Sequence, residues 1–306
     1  MTDRTFFRPI PLILPLLLFC SCSKAPHAPP PEVSEAEVWS YAEQSVAFGN
    51  RCSGSPEIRK YADWIRKTAA ESAKFKVYPQ PFRDATPRGE TLFENIIAEI
   101  PGRSRDFVLI AAHYDIKRFR LLRNFRGAND GASGVAALLG MISALQKDEH
   151  MPPCGIRFVF FDGEECMNEY GESDGLHGSR HLAREWEKSG ILKKCRAMIL
   201  LDMIGDRDLT LTIPENCTAS LKEALLRLAG ESGFRGKCLP FGSAILDDHV
   251  PFLEKGVPAV NLIDFEYGPG NAFWHTEEDT LDKISASSIK SAADLALRLC
   301  WHIAGD

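Results

Sequence analysis

Four short, nearly all-apolar segments do most to constrain how this chain folds: "FVLIAAHY" (107–114), "IRFVFF" (156–161), "AMILLDMI" (197–204) and "PAVNLI" (258–263). Each has the length of a strand and no polar face, the pattern of a strand covered on both sides. Between and around them lie stretches with apolar residues at three- and four-residue steps: "SGVAALLGMISALQK", "GSRHLAREWEK", "SLKEALLRLAGES" and "SASSIKSAADLALRLCWHI". These are predicted helices, the first starting at Ser133. Two more helices are predicted over "VWSYAEQSVAF" and "IRKYADWIRKTAAES", and two more strands over "FKVYPQPF" and "FENIIAEI". Buried strands alternating with helices predict an α/β protein, a three-layer αβα sandwich with a mostly parallel, mixed central sheet.

The chain's 306 residues suit one large domain, expected over 37–306. A net charge of -6 leaves no basic footprint, so no nucleic-acid partner is expected. At the start, Arg4 and Arg8 precede an apolar run from Ile10 to Phe19, which reads as a secretory leader. Its end, "LFCSC", resembles a bacterial lipoprotein signal over 1–22, with Cys22 as the lipid-bearing residue. Residues 23–36 are rich in Pro and Ala and read as a tether. The expectation is an exported protein of the bacterial cell envelope, on the periplasmic or surface side. It meets the membrane through a lipid anchor only and is a monomer. Seven cysteines remain beyond Cys22, none in a CxxC pair, so a cysteine zinc site is not expected.

In folds of this kind the ligand site lies at the carboxyl ends of the strands. His113 and Asp115 follow the first buried strand. Asp130 sits in "RGANDGASG", Glu164 and Glu165 follow the second strand, and Asp202 closes the third. "AILDDHVPF" supplies Asp247 and Asp248, and "NAFWHTEEDT" supplies Trp274 and His275. So many like charges on one rim repel, and a divalent cation relieves the conflict. Oxygen and nitrogen donors without thiolate suit zinc. Of two adjacent carboxylates, one can hold metal while the other serves as general base or acid.

The segments "AHYD", "GANDGASGVAALL", "FFDGEE", "GLHGSRHLA", "LDMIG", "DDHVPFLEKGVPAVNLI" and "WHTEEDT" resemble metallopeptidase family 28, the zinc aminopeptidases. Within that superfamily "HYDIKRF", "DDHVPFL" and the Trp of "WHT" resemble the animal-type glutaminyl cyclases. The resemblance implies a phosphorylase/hydrolase-like zinc exopeptidase fold and a substrate class of peptide or protein N-termini. It implies zinc on Asp130, Glu165 and His275, Glu164 as proton shuttle, and Asp202 with Asp247 as a hydrogen-bonded acid pair. Trp274 would wall the substrate pocket, and Tyr170 stands where the cyclases place a Trp. One zinc is expected. A second, on His113 and Asp202 as in the di-zinc aminopeptidases, stays open, as does hydrolysis of N-terminal residues. A surface-tethered binding module with a decayed site is the non-enzymatic alternative. Structural roles are expected for His177, His181, Asp162, Trp186 and Trp301, and the basic run "KRFRLLRNFR" reads as a solvated loop beside the site.

Overall fold

A computed structural model describes Met1 and residues 28–122 and 124–305. The expected leader, Cys22 and the first part of the tether fall within residues 2–27, outside the described residues. The elements run α1 (Glu35–Ala47), α2 (Pro56–Ala69), β1 (Lys76–Thr86), β2 (Gly89–Ile100), β3 (Phe107–His113), α3 (Ala132–Lys147), β4 (Gly155–Phe161), α4 (His177–Lys188), β5 (Cys195–Asp202), β6 (Leu211–Ile213), α5 (Ala219–Glu231), β7 (Cys238–Pro240), α6 (Val250–Leu253), β8 (Ala259–Ile263) and α7 (Ala286–Gly305). The main sheet has the order β1-β2-β4-β3-β5-β8, and β6 and β7 form a separate parallel pair. The four all-apolar strands β4, β3, β5 and β8 pair in parallel, while the hairpin β1–β2 joins β4 antiparallel.

Period-two alternation divides the sheet's side chains between two cores. Val108, Ile110 and Ala112 of β3 face the larger core with Phe158, Ile199 and Leu262, under α1, α2, α3, α5 and α7. Leu109 and Ala111 face the smaller core with Val159, Met198 and Leu200, under α4 and α6. This is the expected αβα sandwich, with helices distributed unequally between its faces. Helix α3 is buried on every side from Ala132 to Leu145, as a helix apolar all round must be. It lies so close to the sheet that a Cβ at Gly134 would come within 2.7 Å of the Ala112 Cβ and 2.9 Å of the Leu201 carbonyl oxygen.

Two boundaries differ from expectation. Helix α3 begins one residue early, with Gly131 as N-cap at φ 97°, a conformation that favours glycine. Ser133 does not cap it; its hydroxyl donates to the Asn129 carbonyl. The domain also takes in part of the expected tether. Ser34 accepts the Glu37 N–H at the start of α1, a Ser-x-x-Glu capping pattern, and Val33 and Val38 flank it. Both valines are buried against Gly140 of α3. Further back, the Trp301 indole donates to the Ala28 carbonyl. Composition made 28–36 look like linker; capping and two apolar anchors fasten it to the domain. All seven described cysteines are buried and unpaired. No helix among the described residues is long and apolar enough to cross a membrane.

Candidate active site

The carboxyl ends of β3, β4, β5 and β8 open into a cleft of about 400 Å³. Every carboxylate and imidazole picked out above for catalysis or metal lies in or beside it. Asp130, at the entrance to α3, is held by its own backbone. The N–H groups of Asn129 and Asp130 donate to the Asp279 carboxylate at 2.7 and 3.1 Å, and the Tyr267 hydroxyl donates to the same group at 3.0 Å. Burial, followed by the nearby Asp130 charge, pushes Asp279 up to about 7.

Glu164 and Glu165 occupy the loop after β4, and one side chain fixes both. Asp115, just beyond β3, accepts the Glu164 N–H at 3.1 Å and the Glu165 N–H at 3.2 Å. From there the two side chains part. Glu165 turns toward His275, whose Nε2 lies 3.3 Å from Glu165 Oε1 and 3.2 Å from Asp130 Oδ2. Glu164 turns toward Tyr170, whose hydroxyl donates to its Oε1 at 2.9 Å. Its carboxyl is held well above the usual range, first by burial and then by the Glu165 charge.

His275 itself adopts φ 56°, a left-handed conformation uncommon for a residue with a side chain and typical of functional sites. The Trp274 ring stacks on it at 4.2 Å, and the Phe119 and Phe125 rings meet it edge-on at 5.4 and 6.2 Å. Burial would lower its imidazole, but the hydrogen bonds and charges of Asp130 and Glu165 outweigh this and raise it to about 9.

One ligand atom each from Asp130, Glu165 and His275 fall within 4.8 Å of one another, and so do those of His113, Asp130 and Asp202. Asp130 belongs to both groups. Its Oδ1 lies 3.3 Å from His113 Nε2, which in turn lies 3.2 Å from Asp202 Oδ1. The residues fit a divalent cation. Their donors are oxygen and nitrogen, and the fully buried Asp130 Oδ2 atom has His275 Nε2 close by but not in good hydrogen-bond geometry, as two ligands of one metal would be.

Asp202 and Asp247, expected as an acid pair, both line the cleft, and each has a further partner. Asp202 Oδ1 faces His113 Nε2. Asp247 Oδ2 accepts from Asn261 Nδ2 at 2.7 Å, and its Oδ1 accepts the Asp248 N–H at 2.6 Å. These two donors orient the Asp247 carboxylate, whose charge bears on Asp202. Burial pushes Asp202 up to about 6 despite the opposing His113 contact, and raises Asp247 as well. Trp274 and Tyr170 both line the cleft, with Phe241, Ile245, Ile263 and Phe265 forming an apolar wall.

His177, His181 and Asp162 have structural surroundings. His177 Nδ1 lies 3.0 Å from Asp84 Oδ2 with its ring on Phe93, and the His181 ring stacks on Phe82 at 4.1 Å. Asp162 accepts from the Ser53 hydroxyl at 2.6 Å and the Glu94 N–H at 3.0 Å. Sequence reasoning missed four participants: Lys117, Asn261, Asp279 and Tyr267. Lys117 Nζ lies 3.1 Å from Glu165 Oε2 and also donates to the Cys166 carbonyl. It stands in the quoted "HYDIKRF", and Asp279 in "WHTEEDT". Nothing in their spacing reveals which ligand each supports.

Residues 95–300 match Peptidase family M28. The chain is 31% identical over 245 residues to a glutaminyl-peptide cyclotransferase of Drosophila melanogaster, covering 71% of this chain and 67% of that protein. It thus spans about two thirds of the length of the curated relatives it matches. Among solved structures, a glutaminyl cyclase from an Acidobacteriales bacterium superposes with a TM-score of 0.84 at 35% identity, covering 92% of this chain and 99% of that one. The Porphyromonas gingivalis glutaminyl cyclase superposes with a TM-score of 0.78 at 28% identity, covering 88% and 98%. The chain belongs to peptidase family M28, and its likeness within that family is to the glutaminyl cyclases.

Proposed function

We propose that this protein is a zinc-dependent glutaminyl-peptide cyclotransferase, converting the N-terminal glutamine of a peptide or protein to pyroglutamate with release of ammonia. The observation that carries this reading is Glu164. It is a buried carboxylate beside the Asp130–Glu165–His275 group yet outside it, lining the cleft and held by Tyr170. The resemblance to glutaminyl cyclases supplies the substrate.

Asp130, Glu165 and His275 would hold the zinc, which when bound supplies positive charge to polarise the glutamine γ-carbonyl. Glu164 takes a proton from the substrate α-amino group, and the freed nitrogen attacks the γ-carbonyl carbon. Glu164 then passes the proton to the departing amide nitrogen, which leaves as ammonia. One N–C bond forms and one breaks, so no water is consumed. Trp274 and Phe265 wall the cleft, and Asp202 and Asp247, which also line it, would attract the charge of an α-amino group bound there.

The second reading is a di-zinc aminopeptidase. It is favoured by the His113–Asp130–Asp202 group, which shares Asp130 with the first. A panel of Gln-initiated and Leu-initiated peptides, assayed for ammonia, pyroglutamate and free amino acids, decides. Ammonia with pyroglutamate from the Gln peptides supports the cyclase; free N-terminal amino acids would replace it with the peptidase. We also infer export and lipid attachment at Cys22 from the leader. Labelled palmitate retained by the wild type and lost in Cys22→Ala would support that, and equal labelling would reject it.

A further inference from the structure

The loop after β3 carries more positive charge than a solvated connection needs. Lys117, Arg118, Arg120 and Arg126, with Arg88 from the β1–β2 turn, line a cleft of about 480 Å³. Arg59 of α2 joins Arg88 and Arg118 around an adjoining cleft of about 330 Å³. The two clefts share Arg88 and Arg118 and so form one continuous surface. Lys117 is paired with Glu165, but none of the five guanidinium groups has an ion pair among the described residues. Arg118 finds only the Ser53 carbonyl, at 3.3 Å. In a chain of net charge -6, such a collection of like charges repels itself and lacks partners.

Its position suggests the partner. Phe119 and Phe125, which line the first cleft, put their ring edges on His275. Met167, which lines the second, is two residues from Glu165. The basic surface therefore starts at the outer wall of the candidate metal group. An extended peptide with its first residue at that group reaches about 10 Å by its fourth residue. We propose that this surface is a track for the substrate chain, selecting peptides that carry acidic side chains a few residues after the N-terminal glutamine. The proposal rests on the cyclase reading for the identity of the first residue. An anionic membrane would also be drawn to such charge, but a membrane site need not adjoin the candidate catalytic centre.

The test compares Gln-Gly-Glu-Glu-Glu-amide with Gln-Gly-Lys-Lys-Lys-amide on the zinc-loaded enzyme. Several partly exposed ion pairs in concert predict a kcat/KM ratio of about tenfold in favour of the acidic peptide at low salt. At ~0.5 M salt the screening length falls below the spacing of the charges, so the ratio should shrink toward one. Arg88→Glu/Arg120→Glu, both at exposed positions, should lower or invert it. Equal turnover of the two peptides at low salt, or an undiminished ratio in the double variant, overturns the track. So does tight binding to phosphatidylglycerol vesicles without peptide discrimination, which would assign the surface to a membrane. Ammonia separates the two readings: none from Gln-Gly-amide or from either pentapeptide refutes the cyclase. Anisotropy of the same pentapeptides labelled at their C-termini still reads the track without turnover.

Discussion

The Tyr170 hydroxyl points its proton at Glu164 Oε1 across 2.9 Å, while Glu165, one residue on, faces His275. The tyrosine thus fixes one oxygen of the proposed proton carrier and leaves the other for substrate. Hydrogen bonds to charged groups are worth about 1.5–3 kcal/mol, so Tyr170→Phe should lower kcat by about tenfold or more. KM and bound metal should change little. A variant that raises KM while preserving kcat would make Tyr170 only a wall of the cleft.

Glu164→Gln keeps size and polarity but removes the titrating oxygen. Metal content should stay at the wild-type level while kcat falls by about 10²–10⁴. Metal analysis beside steady-state kinetics checks both halves; activity within a few-fold of wild type would remove Glu164 from proton transfer.

His275→Ala deletes the only nitrogen donor of its group, whereas His113→Ala spares that group. One tightly held zinc per chain should be lost in the first variant and kept in the second. Chelation should lower the Tm of the wild type and of His113→Ala, because an ion bound only by the folded state stabilises it. Two zincs in the wild type, falling to one in His113→Ala, would favour the di-metal reading.

Much of this arrangement was legible in the sequence because strand-end chemistry is local. A run such as "FVLIAAH" fixes both the strand and the rim on which His113 stands, and Glu164 and Glu165 follow from "IRFVFF" in the same way. What could not be read depends on distant contacts. The partners of Asp247 are Asn261, fourteen positions on, and its neighbour's N–H. Asp279 steadies Asp130 from 149 residues away. The packing of 28–36 was hidden for another reason: Pro and Ala content outweighed a capping pattern only four residues long.

His249 offers a test away from the metal group. It is wholly buried, neither ring nitrogen has a hydrogen-bond partner, and burial draws it down to about 4. A folded-state value below that of the unfolded chain means the unfolded state takes up the proton first. The stability that depends on neutral His249 is therefore complete above about pH 6.5 and is lost as pH falls toward 4, by about 3 kcal/mol. In His249→Leu this loss should vanish. Urea unfolding of both proteins from pH 7 to 4 should show the wild type losing that amount relative to the variant; a constant difference would show that His249 is protonated in the fold.

Asp115 makes the two glutamates a single mechanical unit. Because one carboxylate grips both of their amides, the distance from the proposed proton carrier to the proposed metal ligand is set by the tip of β3 rather than by the loop that bears them. The segment from Met167 to Gly175 can thus change length or composition while that spacing stays constant, so long as a donor still meets Glu164 where Tyr170 stands, leaving evolution room to reshape the mouth.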